Sequence, residues 1–238
     1  MCVQNQHLSS MLLGDGERWL AVLTAFLDES GTHAGCPAVT VAGFYGNKDQ
    51  WELFRAVWGP HSFGFHAKDG ASKYAELFGA IEASGINGIY FPLDKAIYRQ
   101  NSTPQMLSRA GNEYSMCAFQ CVLSICKEVG VPTAFVFEQG QPNLNFVLET
   151  LLYMLDSGGT CISSITPAKK SDFIELHPAD FVSHLASSND NPWLQKLMDI
   201  HKLKRGHIKA KTLADIGPEL KKMIATAKQK RAQARKRR

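Results

Sequence analysis

Residues 21–31 read AVLTAFLDESG, an apolar run that ends in two adjacent acids and a glycine. The run over residues 21–27 predicts a buried strand, and the following Ser30 and Gly31 favour a turn. A second β-rich run at residues 38–45 is close enough to pair with the first as a hairpin. The chain is therefore predicted to begin a β-sheet with acidic residues at the end of its first strand.

Segments of strand and helix character alternate after this hairpin. The pattern predicts helices near residues 47–58, 72–84, 112–129, 143–155, 178–187 and 192–200, and strands near residues 63–66, 88–93, 133–137 and 161–166. This alternation predicts an α/β fold in which helices flank a mixed sheet. The predicted organisation is a loose extension over residues 1–18, one domain over residues 19–200 and a basic tail over residues 201–238.

Charge is distributed unevenly along the chain. Residues 1–200 carry 12 Lys and Arg against 20 Asp and Glu, whereas residues 201–238 carry 14 Lys and Arg against only Asp215 and Glu219. The tail is predicted to start as a basic loop over residues 202–207 and to contain a helix from Glu219. Such a run is usually solvated, but counterion release also favours its binding to nucleic acid. The candidate phosphate-binding residues are Lys202, Lys204, Arg205, Lys228, Lys230, Arg231, Arg235, Lys236, Arg237 and Arg238.

The six cysteines show neither a Cys-x-x-Cys pair nor zinc-finger spacing. Cys117, Cys121 and Cys126 fall in one predicted helix, where they are interpreted as small buried residues. No disulfide framework is expected, so a reducing cytoplasm is the default. The N-terminus lacks signal-peptide features, and its apolar run is too short for a membrane span. We therefore expect a soluble cytoplasmic protein without a membrane partner, and the sequence leaves its oligomeric state open.

Acidic residues follow two of the predicted strands directly. Alternation places Asp28 on one face of its strand and Glu29 on the other, where Glu29 is expected to make a hydrogen bond or salt bridge. Glu138 ends the strand at residues 133–137. Ligands of α/β sheets bind at the carboxyl ends of strands, which favours a functional site here. The alternative for Asp28 is an Asx-type turn, and this alternative is weaker for Glu138 because Glu rarely forms such turns.

Three further residues are candidates for the same site. Asp180 lies in the first turn of a predicted helix, where the helix dipole stabilises a carboxylate by about 0.3–1 kcal/mol without any metal. Asp94 follows another predicted strand. His66 lies between aromatic residues, where it is either a contact to metal or phosphate or a hydrogen-bonded, half-buried residue. Clustered carboxylates repel one another, and Mg²⁺ or Mn²⁺ is the cation that oxygen ligands select.

These motifs occur in the order of a known family. They are LDESGTH at residues 27–33, VAGF at 41–44, FH at 65–66, VFEQG at 136–140 and ADFV at 179–182. The set resembles a large uncharacterised prokaryotic and phage domain family with an Asp-Glu-Ser-Gly signature, which is grouped with ribonuclease H-like folds. The resemblance spans residues 22–190. It implies an acid on the first strand, another at the end of the fourth and a third on a later helix, which Asp28, Glu138 and Asp180 match.

The resemblance further implies two-metal hydrolysis of phosphodiester bonds, with Asp28, Glu138 and Asp180 as metal ligands and catalytic residues. The expected protein is then a nuclease dependent on Mg²⁺ or Mn²⁺, with Glu29, His66 and Asp94 as possible accessory residues. Two alternatives stay open: a non-catalytic nucleic-acid-binding module on the same fold, and a protein-interaction component whose tail binds an acidic partner. The sequence leaves open whether RNA or DNA is bound.

Overall fold

The computed structural model describes residues 23–102, 111–141, 143–156, 161–186 and 191–208. Its strands are β1 Leu23–Ser30, β2 Ala38–Gly46, β3 Asn87–Asp94, β4 Thr133–Glu138, β5 Ile162–Ala168 and β6 Leu203–Arg205. Its α-helices are α1 Lys48–Trp58, α2 Tyr74–Ser84, α3 Lys95–Asn101, α4 Glu113–Val129, α5 Leu144–Asp156, α6 His177–Leu185 and α7 Pro192–Asp199. Short 3₁₀ helices occupy Gly59–His61, Ala71–Lys73 and Ile174–Leu176.

The six strands form one mixed sheet in the order β5-β4-β1-β2-β3-β6. The first three strands pair antiparallel in sequence, so the predicted β1–β2 hairpin is confirmed. β4 then pairs parallel with β1, β5 parallel with β4, and β6 parallel with β3. The prediction of an α/β fold, with helices flanking a mixed sheet, is confirmed.

Alternate residues of each strand supply two separate cores. In β1, Ala25 and Leu27 belong to a core that includes residues of α4 and α5. Phe26, between them, belongs to the opposite core, which includes residues of α1, α2 and α6. Successive side chains of a strand point to opposite faces, so both faces of the sheet are covered. Asp28 continues the series of Phe26 and thus lies on the α6 side.

Helix α1 illustrates how local signals and packing agree. The side chain of Asn47 accepts a hydrogen bond from Gln50 N, and the side chain of Gln50 accepts one from Asn47 N, which forms a capping box. On the inner face, Trp51 is fully buried and its indole N–H donates to Thr24 O of β1 at 3.0 Å. The cap and this bond fix α1 against the first strand.

Two predictions of local structure are wrong. Residues 63–66 form turns rather than a strand, because Phe65 N donates back to Ser62 O and Gly64 adopts a positive φ of 64°. The predicted basic loop at residues 202–207 contains β6, because Leu203 is buried in the α6-side core and Gly88 N donates to Lys202 O at 2.7 Å. Residues 1–22, including the predicted extension, and residues 209–238 of the tail lie outside the described residues.

The cysteines are also only partly as predicted. Cys117 and Cys121 are buried and unpaired, as expected. Cys126 instead forms a disulfide with Cys161, and the two Cα atoms lie 5.5 Å apart. Spacing gave no sign of this pair, because its members are 35 residues apart and meet only when the end of α4 packs beside the start of β5. Among the described helices, none has the length and apolar character needed to span a bilayer.

Gly31 is required by the turn that ends β1. Its φ is +81°, and a Cβ at this position would lie 2.1 Å from the carbonyl oxygen of Ala38. Gly140 is a matched control, because its φ is +98° but a Cβ there meets nothing within 4 Å. Both alanine variants carry the cost of positive φ, and only Gly31→Ala adds a clash with backbone.

We therefore expect Gly31→Ala to lower the free energy of unfolding by about 2 kcal/mol more than Gly140→Ala does. Urea denaturation of both variants and the wild type measures this difference. Equal losses in the two variants would show that the turn relaxes to admit the extra methyl group.

Candidate metal centre

Parallel pairing of β1 with β4 brings two predicted acids together. Leu27 is in register with Phe137, so Asp28 and Glu138 follow side by side at the same edge of the sheet. Among the described residues, one group could share a metal ion: Asp28, Glu29 and Glu138 each offer a carboxylate oxygen, and these oxygens lie within 4.8 Å of one another. Asp28 and Glu29 are buried and Glu138 is partly buried.

Glu29 belongs to this group although its strand position faces the other core. The expectation of a separate hydrogen bond or salt bridge rested on the alternation of the strand alone. Alternation describes the Cα–Cβ direction, whereas a Glu side chain has enough rotatable bonds to reach the open end of the strand. The structure thus brings the predicted accessory residue Glu29 together with Asp28 and Glu138.

Asp180 lies beside this group, on helix α6. Its Oδ2 accepts a hydrogen bond from Ala67 N at 2.8 Å, and its Oδ1 lies 2.9 Å from the ammonium of Lys170. The helix-dipole alternative remains compatible with its place in the first turn of α6. Its carboxylate nevertheless contacts residues outside its own helix, which ties α6 to the loop at residues 66–67 and to the acidic cluster.

Lys170 connects the acids, a role that the sequence did not indicate. Its Nζ lies 2.7 Å from Asp28 Oδ2, 3.4 Å from Glu138 Oε1 and 2.9 Å from Asp180 Oδ1. The side chain is only 13% exposed, whereas the neighbouring Lys169 is exposed. One ammonium therefore ion-pairs with all three acids that were predicted as metal ligands.

Burial and mutual repulsion dominate the electrostatics of the cluster. Burial, the adjacent Glu138 carboxyl and the charge of Glu29 raise the pKa of Asp28 well above its ordinary value, against the opposing effect of Lys170. Burial and Glu138 likewise raise the pKa of Glu29. Burial alone would lower the pKa of Lys170, but Asp28 and Asp180 outweigh it and raise that pKa. Ionisation of Asp28 and Glu29 is therefore disfavoured, and a bound cation would favour it.

Tyr114 of α4 is a further neighbour that the sequence did not indicate. Burial raises the pKa of its hydroxyl, and the carboxylates of Glu29, Asp28 and Glu138 raise it further. The side chain is 2% exposed and belongs to the core on the α4 side. Tyr114 therefore lies near enough to sense the charge of the cluster, on the face of the sheet opposite to α6.

Of the other predicted site residues, His66 lies beside Asp180, whereas Asp94 has a separate structural role. His66 is exposed, and its Nδ1 lies 3.6 Å from Asp180 Oδ2. Asp94 is the N-cap of α3, where its Oδ1 accepts hydrogen bonds from Ala96 N and Ile97 N. These bonds account for an acid at this position without a metal.

The three candidate phosphate-binding residues that the structure describes lie at β6, on another part of the sheet. Lys202 donates to Gly85 O at 3.4 Å, Lys204 forms an ion pair with Glu128 at 2.6 Å, and Arg205 is exposed. In the strand order, β6 is three strands away from β1, or about 14 Å at about 4.8 Å per strand. The remaining candidate phosphate-binding residues of the tail lie outside the described residues.

The donor set fits a hard divalent cation. All its ligand atoms are carboxylate oxygens, which Mg²⁺ and Mn²⁺ prefer. Oxygens on opposite sides of a Mg²⁺ ion are about 4.2 Å apart, so a spread of 4.8 Å requires only small side-chain shifts. In addition, the buried Asp28 Oδ2 already has a cationic partner, the ammonium of Lys170 at 2.7 Å.

Comparison with known proteins finds similar structures but no related sequence. No protein-family model and no curated protein matches the chain. The structure is similar to the crystal structure of Bst-RNase HIII in complex with Mn²⁺, with a TM-score of 0.48 and 17% identity over 97% of this chain and 74% of that chain. It is also similar to a chain of the PCNA:RNase HII complex from Archaeoglobus fulgidus, with a TM-score of 0.46 and 9% identity over 75% of this chain and 87% of that chain. At these values the likeness transfers no activity or residue role to this chain.

His177, which opens α6, is a buried neutral residue beside the cluster. The indole N–H of Trp58 donates to its Nδ1 at 2.8 Å. Burial lowers the pKa of His177 to about 4, with Asp180 opposing this shift and Lys170 adding to it. In the unfolded chain the same group has a pKa of about 6.5.

We expect this histidine to make the protein less stable in acid. Between about pH 6.5 and pH 4 the unfolded chain binds a proton that folded His177 does not, so the loss grows as pH falls through this window and reaches at most about 3 kcal/mol. His177→Asn keeps an acceptor for Trp58 but cannot be protonated. Urea denaturation at pH 7 and pH 4.5 should show a smaller acid loss in the variant, and parallel pH profiles would contradict the assignment.

Proposed function

We propose that this protein is a divalent-metal-dependent nuclease that hydrolyses phosphodiester bonds in nucleic acid. The observation that supports the proposal is the convergence of buried carboxylates from β1 and β4, with oxygens within 4.8 Å of one another. A charge cluster of this kind destabilises a fold unless a cation neutralises it. The composition of the ligand set favours Mg²⁺ or Mn²⁺.

In this proposal Asp28, Glu29 and Glu138 hold the metal ion. A divalent cation at such a site supplies a Lewis acid for a phosphoryl oxygen and lowers the pKa of a bound water. Asp180 orients the site by accepting a hydrogen bond from Ala67 N and by ion-pairing with Lys170. Lys170 offsets part of the negative charge that would otherwise repel a phosphate group.

Nucleic acid is the proposed partner because of the charge distribution. The acidic body over residues 1–200 would repel a polyanion, whereas the tail from residue 201 carries most of the positive charge. Lys and Arg that neutralise phosphates bind nucleic acid without regard to its sequence. The cytoplasmic location expected from the cysteine spacing loses that support, because Cys126 and Cys161 form a disulfide.

A specific observation also favours the non-catalytic alternative. Lys170 already ion-pairs with Asp28, Glu138 and Asp180, so the fold can neutralise much of its acidic cluster without a metal. The protein would then bind nucleic acid through its basic residues only. This alternative predicts binding that EDTA does not change and no cleavage in Mg²⁺ or Mn²⁺.

Asp28→Asn should abolish cleavage that depends on Mg²⁺ or Mn²⁺, because it removes a ligand charge from the centre of the cluster. Its thermal midpoint should stay the same or rise, since burial and neighbouring acids already disfavour the ionised form of Asp28. The measurement is cleavage of labelled RNA, DNA and RNA–DNA hybrid with each metal and with EDTA.

Asp94→Asn is the matched control. It removes the same charge at another strand end, and Asn replaces Asp as an N-cap at little cost. The control should keep both activity and stability. Metal-dependent cleavage that survives in Asp28→Asn would refute the assignment of the site.

The role of the tail is tested by removing its charge while keeping its length. Residues 209–238 carry 11 Lys and Arg, all of which are replaced by Gln in the variant. We expect weaker binding to nucleic acid and a smaller slope of log K against log salt concentration, because fewer counterions are released. Fluorescence anisotropy at several salt concentrations measures both quantities. Unchanged affinity and slope would exclude the tail as a phosphate-binding arm.

A further inference from the structure

Lys170 occupies a position at which a cation of the cluster would bind. Its ammonium contacts carboxylate oxygens that come from three different elements, β1, β4 and α6. The contacts of 2.7, 3.4 and 2.9 Å surround Nζ with negative charge, and the side chain is 13% exposed. This geometry is that of a bound cation rather than of a surface lysine with one partner.

The backbone fixes Lys170 at this place. Glu138 is in register with Ala168 in the parallel β4–β5 pair, and Gln139 N donates to Ala168 O at 2.8 Å. Lys170 follows two residues later, in a turn that the 3.0 Å bond from Asp172 N to Lys169 O closes. The turn after β5 therefore places the ammonium of Lys170 beside Glu138, at the end of the neighbouring strand β4.

The carboxylates form two sets that share Asp28 and Glu138, and each set has the composition to surround one cation. The first is completed by Glu29, whose carboxylate oxygen lies within 4.8 Å of the other two. The second is completed by Asp180 and is the one that Lys170 fills. A divalent ion at the second position would bind these oxygens at about 2.1 Å, which leaves no room for an ammonium that contacts the same atoms.

We propose that Lys170 is a tethered cation that takes the place of a second metal ion, so that the site binds one divalent cation per chain. Asp180 is then a positioning residue for Lys170 rather than a ligand of that cation. The inference rests on the proposed function in one respect: it assumes that Asp28, Glu29 and Glu138 bind a divalent cation. It changes the expected two-metal arrangement to one metal and one ammonium.

The test counts Mn²⁺ ions bound per chain in the absence of nucleic acid. Isothermal titration calorimetry gives the number of sites, and the electron paramagnetic resonance signal of free Mn²⁺ checks it. The proteins are the full-length wild type, Lys170→Met and Lys169→Met. The last variant loses the same charge from the exposed neighbouring lysine and serves as the matched control.

We expect one Mn²⁺ in the wild type and in Lys169→Met, and two in Lys170→Met. Mn²⁺ should also raise the thermal midpoint of Lys170→Met by more than it raises that of the wild type, because two ions then replace one. Two ions in the wild type, or one ion with unchanged affinity in Lys170→Met, would overturn the inference and leave the proposed function standing. No Mn²⁺ bound by any of the three, together with no cleavage, would overturn both.

Asp180→Asn gives an independent result if Lys170→Met fails to fold. The variant removes the charge that Lys170 contacts at 2.9 Å but leaves Asp28, Glu29 and Glu138 in place. It should still bind one Mn²⁺ with an affinity within about threefold of the wild type, whereas Asp28→Asn should lose binding. Loss of Mn²⁺ binding in a folded Asp180→Asn would make Asp180 a ligand and refute its role as a positioning residue.

Discussion

Repulsion among buried carboxylates is the constraint around which one edge of this sheet is arranged. Burial and the neighbouring carboxyls raise the pKa of Asp28 and of Glu29, and one oxygen of each lies within 4.8 Å of an oxygen of Glu138. Replacing such a cluster with apolar residues of similar size would stabilise most folds. Its presence supports the proposed metal site.

The elements around the cluster supply the positive charge and the donors that it needs. The turn after β5 brings the ammonium of Lys170, and the loop at residues 66–67 offers the N–H of Ala67 to Asp180. The N–H of Glu29 itself donates to Asp28 Oδ1 at 2.7 Å. On the other side, His177 is kept neutral by burial, so it adds no charge of its own at neutral pH. The site is thus partly neutralised before any ligand binds.

Much of the fold could be predicted because its signals are local. Apolar runs marked β1, β2, β3, β4 and β5, and apolar residues at helical spacing marked most of the helices. The acids Asp28 and Glu138 followed from their position at strand ends, because parallel strands end at a common edge. Strand β6 could not be predicted, since its three residues are stabilised by pairing with β3 and by burial of Leu203 rather than by a pattern of their own.

The parts of the site that escaped prediction depend on register between distant strands. Lys170 reaches the cluster only because Glu138 pairs with Ala168, and a shift by one residue would turn the neighbouring side chains to the opposite face. The disulfide between Cys126 and Cys161 depends on the same packing of β5 beside α4. Glu29 was misjudged for a different reason, because strand parity gives the direction of Cβ and not the reach of a long side chain.

Glu29 also bears on the choice between a nuclease and a metal-free binding module. If Lys170 were the only cation of the site, the three acids it contacts would be sufficient partners for one ammonium. Glu29 adds another carboxylate to the group, and burial and Glu138 raise its pKa against the partial compensation from Lys170. A neutral Gln of the same shape would avoid this cost. The fold would be more stable without this buried carboxylate, so a second cation beside Glu29 would explain why the chain has it. Oxygens of Asp28 and Glu138 lie within 4.8 Å of an oxygen of Glu29 and could bind the same cation.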